Sequence, residues 1–199
     1  MRDEGVIKFR CEWDKAPAPA LSLVREMNAC RTELFDRELI GVYSDGIGFG
    51  NLSVRKPDSR MFVITGTQTG PIRELEADHY TTVTDYDIEK NVIRCEGPVK
   101  ASSESLTHAM IYEIDPAIQA VIHVHDAKHW KRLLDRIPTT DESVLYGTPE
   151  MAREIKRLDA ESELRAKRML VMAGHAEGII SFGASCREAR DTLLKGLSL

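Results

Sequence analysis

Apolar residues fall at helical spacing early in the chain: Leu21, Val24, Met27, Leu34 and Phe35 share one face of an amphipathic helix that follows Pro17 and Pro19. That helix is expected to end near Gly41, and residues 1–16 read as a loose N-terminal segment. Three glycines and Ser44-Asp45 make 43–50 a loop. Two short strands follow over 51–55 and 60–65, joined by a Lys56-Pro57-Asp58-Ser59 turn in which Pro-Asp supplies the turn chemistry. Strands are also expected over 82–87 and 91–95. A helix is expected over 102–114 with Ser102 or Ser103 as its cap, stopped by Asp115-Pro116. The run 118–125 is the clearest strand: extended, it turns Ala120, Ile122 and Val124 to one side and Val121, His123 and His125 to the other. Thr148 caps a helix with Pro149 at its first position, where the missing N–H costs nothing. Strands over 169–173 and 178–182 precede a Ser185-x-x-Glu188 capping box that opens the last helix, which Gly196 is expected to end.

Strands and helices thus alternate, yet several strand pairs lie close enough in sequence for hairpins. This predicts an α/β fold whose sheet is largely antiparallel or mixed and flanked by helices. With 199 residues, 42% hydrophobic and 30% charged, the chain fits one domain large enough to fold without a metal or disulfide to staple it. The net charge of −5 and the scattered Lys and Arg argue against a nucleic-acid partner, so a bound anion has to be met locally. No apolar run reaches the ~18–20 residues a membrane span needs. Cys11, Cys30, Cys95 and Cys186 form no C-x-x-C and accompany no signal-peptide pattern, so they read as reduced thiols of a cytoplasmic protein.

The candidate chemistry begins with His123-x-His125. Two residues apart on a strand share a face with Cα atoms ~6.5 Å apart, so both imidazoles can turn to one ion. A catalytic zinc takes three protein ligands and keeps an open position, and His175, between the last two strands, is placed to be the third. An H-x-H alone is weak, because packed or surface histidines give the same pattern. A metal-dependent barrel hydrolase would need about 250 residues, and an all-β cupin would lack these helices.

Ser102-Ser103-Glu104-Ser105-Leu106-Thr107-His108, followed by Tyr112, Pro116, Ala120 and Val121-Ile122-His123-Val124-His125, changes that balance. Gly50-Asn51-Leu52-Ser53-Val54-Arg55, Ile64-Thr65-Gly66-Thr67, Gly147-Thr148-Pro149-Glu150 and the stretch from Gly174-His175 to Gly183 stand in the matching order. The chain resembles the class II aldolase/adducin family over most of its length, roughly 21–194. The resemblance implies a single three-layer domain over 1–199, a homotetramer, and Zn2+ or another divalent ion on His123, His125 and His175.

It further implies Glu104 as proton acceptor and donor, and a substrate phosphate held by Gly50, Asn51, Thr65, Gly66, Thr67, Ser102 and Ser103. Removing a proton beside a carbonyl, or breaking a C–C bond to leave an enediolate, needs a Lewis acid on the oxygens and a base at carbon. Glycine lets backbone N–H groups approach an anion, and serines at a helix start suit one. Read without the family, the same residues are ordinary caps and turns, and Glu104 is a carboxylate meeting a helix dipole. His108, one turn after Glu104, reads as a structural partner; His79 and His129 read as surface residues. The segment 129–146 looks shorter than its counterpart in the similar aldolases, which carries a tyrosine acid. Tyr146, the phenol at its end, is therefore the candidate acid, or else a ring packed before a helix cap. The expected activity is an aldolase-type lyase on a small phosphorylated ketose, with a sugar-phosphate epimerase and a non-catalytic adducin-like domain as alternatives.

Overall fold

A computed structural model describes residues 5–198. In chain order its elements are β1 (Arg10–Lys15), α1 (Leu21–Asp36), β2 (Gly41–Val42), β3 (Gly48–Phe49), β4 (Asn51–Arg55), β5 (Phe62–Thr65), β6 (Tyr80–Asp87), β7 (Val92–Gly97), α2 (Ser105–Ile114), β8 (Ala120–His125), α3 (Ala127–Leu133), α4 (Pro149–Glu161), α5 (Leu164–Lys167), β9 (Met169–Val171), β10 (Gly178–Gly183) and α6 (Cys186–Leu197). Eight of the strands form one sheet in the order β1-β7-β6-β5-β4-β8-β10-β9. Every pairing in it is antiparallel except β1 on β7, so the expected mixed α/β sheet is what forms.

The two faces read from 118–125 become two cores. Val121 joins Phe62, Ile64 and Ile180 under α2 and α4, whereas Ala120, Ile122 and Val124 join Leu52 and Ile179 under α1 and α6. All six residues of β8 are buried, and each fully buried Val or Ile there stabilises the fold by roughly 1.5–3 kcal/mol. The histidines on this strand are therefore fixed by the best-packed part of the molecule. Among the described residues, no helix is long and apolar enough to cross a membrane.

Several expectations change in detail. The segment taken as loose contains β1, paired in parallel with β7 from Arg10↔Val92 to Lys15↔Gly97, with the Trp13 indole N–H donating to the Gly97 carbonyl at 3.0 Å. Residues 1–4 of that segment lie outside the described residues. Helix α1 stops at Asp36, well short of Gly41, because Glu38 takes a left-handed φ of 61° and the Leu39 N–H turns back to the Leu34 carbonyl at 3.0 Å. The expected 43–50 loop contains β3, which pairs with β2 in a two-residue ladder, and 129–146 begins inside the short helix α3. Neither Ser102 nor Ser103 caps α2: Glu104 occupies the cap position, and the helix starts at Ser105. The Thr148 cap and Pro149 at the first turn are as read. At α6 only half of the capping box forms, since the Glu188 carboxylate accepts from the Ala184 N–H, 2.8 Å away, instead of from Ser185. Gly196 lies within that helix, which ends at Leu197.

Candidate metal centre and anion cavity

His123 and His125 share one face of β8, and their Nε2 atoms stand 3.0 Å apart. His175 comes from the β9–β10 turn, whose backbone closes with the Gly178 N–H donating to the His175 carbonyl at 2.9 Å. Strand pairing puts Gly178 directly across from His125. A side chain there would meet the His123 ring at 3.2 Å and the His175 ring at 3.3 Å, so glycine leaves room for three imidazoles. One ligand atom from each of the three buried histidines falls within 4.8 Å of the others. Tetrahedral zinc with Zn–N of about 2.0–2.1 Å separates its nitrogens by roughly 3.3 Å, so the His123–His125 spacing suits a shared ion.

The tautomer of His125 is set by its neighbours. The Tyr43 hydroxyl donates its one proton to Glu177 Oε2 at 2.7 Å and lies 2.7 Å from His125 Nδ1. Its oxygen therefore accepts from the Nδ1–H, which leaves the Nε2 lone pair facing His123. An outer partner of this kind orients a metal-ligating imidazole and raises its basicity. Neither Tyr43 nor Glu177 is marked by a motif; the one available signal was an acid two residues beyond a candidate ligand. His125 also lines an open groove of about 710 Å³ together with Tyr43, Phe49 and Lys128.

Glu104 is completely buried beside the trio, with Oε1 3.0 Å from His175 Nδ1 and 3.9 Å from His123 Nε2. The nearer contact is an ion-pair distance. Burial pushes this carboxyl up, but His123, His175 and Thr107 outweigh burial and hold it down to about 2, so it is an anion. Its neighbour one turn on, His108, meets Ser53 Oγ at 2.7 Å through Nδ1, and Ser53 in turn meets the Tyr112 hydroxyl at 2.7 Å. Burial depresses His108 to about 3, which keeps it neutral and structural. His129, in the first turn of α3, pairs with Asp126, the residue that caps the helix, at 2.6 Å.

Six of the seven expected anion-binding residues, Gly50, Asn51, Gly66, Thr67, Ser102 and Ser103, line one small cavity, which Gly5, Gly48 and residues 68–70 complete. Asn51 pairs across the sheet with His123, so this cavity and the trio are adjacent by strand register. The Asn51 side-chain carbonyl is buried there without a hydrogen-bond partner. Gly50 holds φ at +79°, and a Cβ on it would come within 2.7 Å of Ile40, so no other residue fits. Thr65 is the exception. Its hydroxyl accepts from the Leu52 N–H at 3.3 Å beneath the sheet and does not line the cavity.

Tyr146 does not present a hydroxyl to the trio. Its ring stacks on His175 with centroids 4.4 Å apart, Lys8 Nζ sits 3.2 Å over the same ring, and its hydroxyl donates to the Val6 carbonyl at 3.2 Å while accepting from the Val6 N–H at 3.1 Å. Of the two readings of this residue, the packed ring is the arrangement found.

Three buried imidazoles that could hold a metal ion thus stand against a buried carboxylate, with a glycine-threonine-serine cavity next door. The chain belongs to the class II aldolase and adducin family, whose N-terminal domain matches residues 43–195. Similar folds include YgbL from Klebsiella pneumoniae, 21% identical over 89% of this chain and 86% of that one with a TM-score of 0.65. An L-fuculose 1-phosphate aldolase is 17% identical over 91% and 85%, with a TM-score of 0.66. A sugar-phosphate aldolase from Thermotoga maritima is 17% identical over 89% and 91%, with a TM-score of 0.67.

Proposed function

We propose that this chain is a zinc-dependent aldolase-type lyase that cleaves or forms a C–C bond in a small phosphorylated ketose, working in the cytoplasm as a homotetramer. The observation that carries the reading is the convergence of His123, His125 and His175 beside the buried Glu104. The donor set fits a zinc-type ion, three neutral-capable imidazoles with one tautomer fixed by Tyr43. Such an ion, when bound, supplies Lewis acidity toward substrate oxygens. Everything else falls to the chain. Gly50, Asn51, Gly66, Thr67, Ser102 and Ser103 bind the phosphate and so fix which carbon faces Glu104. Glu104, anionic and shielded from water, takes a proton from that carbon and returns it.

A second reading, a sugar-phosphate epimerase, is favoured by one observation: the Tyr146 hydroxyl is bonded to Val6 and is not poised to protonate a leaving alkoxide. Both readings share the proton step. Glu104→Gln should keep the bound metal and the melting temperature yet slow α-proton exchange of a phosphorylated ketose by about 10²-fold or more, the usual scale for a positioned base. Exchange at the wild-type rate in this variant would exclude Glu104 as the base.

A further inference from the structure

The most unusual charge in the molecule is Arg31. It lies on α1, 1% exposed, and no acidic side chain among the described residues pairs with it. Its guanidinium instead donates to three backbone carbonyls: Nη2 to Thr69 at 2.9 Å and Gly70 at 3.3 Å, and Nη1 to Arg73 at 2.9 Å. Its guanidinium carbon also lies 5.5 Å over the Phe35 ring, but a buried cation answered by carbonyl dipoles and one ring face, with no anion, is unfavourable, which is why interior charges are normally paired. Burial here lowers even a guanidinium, to about 10, so it stays charged at neutral pH.

The carbonyls that Arg31 grips belong to Thr69 and Gly70, which line the anion cavity. In a planar trans peptide the C=O and N–H point opposite ways. Turning the Thr69 carbonyl onto Arg31 therefore turns the Gly70 N–H away from it. Arg31 thus fixes the shape of the loop on one side and places a positive charge one layer of backbone behind the cavity. An anion in the cavity is the counter-charge that Arg31 otherwise lacks.

We infer that Arg31 is a positioning residue for the anion cavity, holding residues 69–73 in their anion-binding shape and matching the charge of a phosphate group bound there. This rests on the phosphate assignment made above. The test is calorimetric titration of the full-length, metal-loaded protein with inorganic phosphate, in wild type, Arg31→Met and Arg31→Lys. Arg31→Met should weaken phosphate binding about tenfold or more, the scale for losing a hydrogen-bonded charge beside an anion. Arg31→Lys, which keeps the charge and loses the planar fork, should fall between the two, with metal content unchanged in both variants. A purely structural role would lower the melting temperature without this graded loss of affinity. Phosphate binding by Arg31→Lys equal to wild type, or by a folded Arg31→Met equal to wild type, overturns the inference alone. If wild type itself binds no phosphate while fully metal-loaded, the phosphate assignment fails and the inference goes with it.

Discussion

The two halves of the site are built in opposite ways. The histidine half stands on β8 and the turn leading into β10, two interior strands in which every residue is buried. The half proposed to bind an anion is assembled from the ends of β3 and β5 and from loops before β4 and α2, and a helix on the far side of those loops pins part of it through Arg31. A metal site needs ligand atoms fixed to within tenths of an ångström, which a packed strand provides. An anion cavity needs backbone N–H groups to converge, which regular strands cannot supply because their N–H groups are spent in ladders. The division of labour follows from what each ligand demands of the chain.

If the halves are separately built, they should break separately. Replacing His123, His125 or His175 by Ala should reduce metal affinity well over 100-fold, beyond the ~10–100-fold typical of losing an outer partner. Phosphate titration of the same variants should remain within a few-fold of wild type. Metal analysis together with calorimetry checks this, and a parallel collapse of both affinities would show that the halves form one cooperative unit.

A smaller change sharpens the histidine half. Tyr43→Phe removes the oxygen that accepts from His125 Nδ1 and leaves the ring contact with Phe49, whose centroid is 4.4 Å away. Metal affinity should fall about tenfold, at the low end for an outer partner, with the melting temperature nearly unchanged. Competition with a chromophoric chelator measures it. Affinity equal to wild type would mean that the His125 ring is oriented by packing alone.

The same contrast governs what the sequence made legible. His123 and His125 could be read because period-two alternation puts them on one face, and the helix start at Thr148-Pro149 could be read because caps are local. What escaped was non-local. β1 alternates Cys11 and Trp13 with Arg10, Glu12 and Asp14, a strand pattern obscured by charge whose partner lies some eighty residues away on β7. Arg31 looks like any polar position on an amphipathic helix until the 69–73 loop folds over it. Tyr43 meets His125 across a similar gap in sequence. Ser102 and Ser103 line the cavity but do not cap the helix, because the chain makes one more turn before α2 begins.

Tyr146 sets the finest test, because it touches the histidine half through its ring and the N-terminal segment through its hydroxyl. The ring stacks on His175, so its bulk helps to fix the proposed third ligand, and Phe supplies the same bulk. The hydroxyl's one proton goes to the Val6 carbonyl, and Val6 is 52% exposed, so water can replace both of its bonds to Tyr146 at a cost of about 1 kcal/mol or less. Tyr146→Phe should therefore leave metal content unchanged and alter C–C cleavage and α-proton exchange by less than about threefold each, far under the ~10²-fold scale of a positioned acid. Tyr146→Ala, which empties the space against His175, should by contrast weaken metal binding. Steady-state cleavage measured beside deuterium exchange separates the cases. A selective loss of cleavage in Tyr146→Phe would mean that the hydroxyl leaves Val6 when substrate binds and serves as the acid. Equal and small effects on both reactions would make Tyr146 a wall of the metal site and throw the search for a proton donor onto groups outside the 129–146 segment.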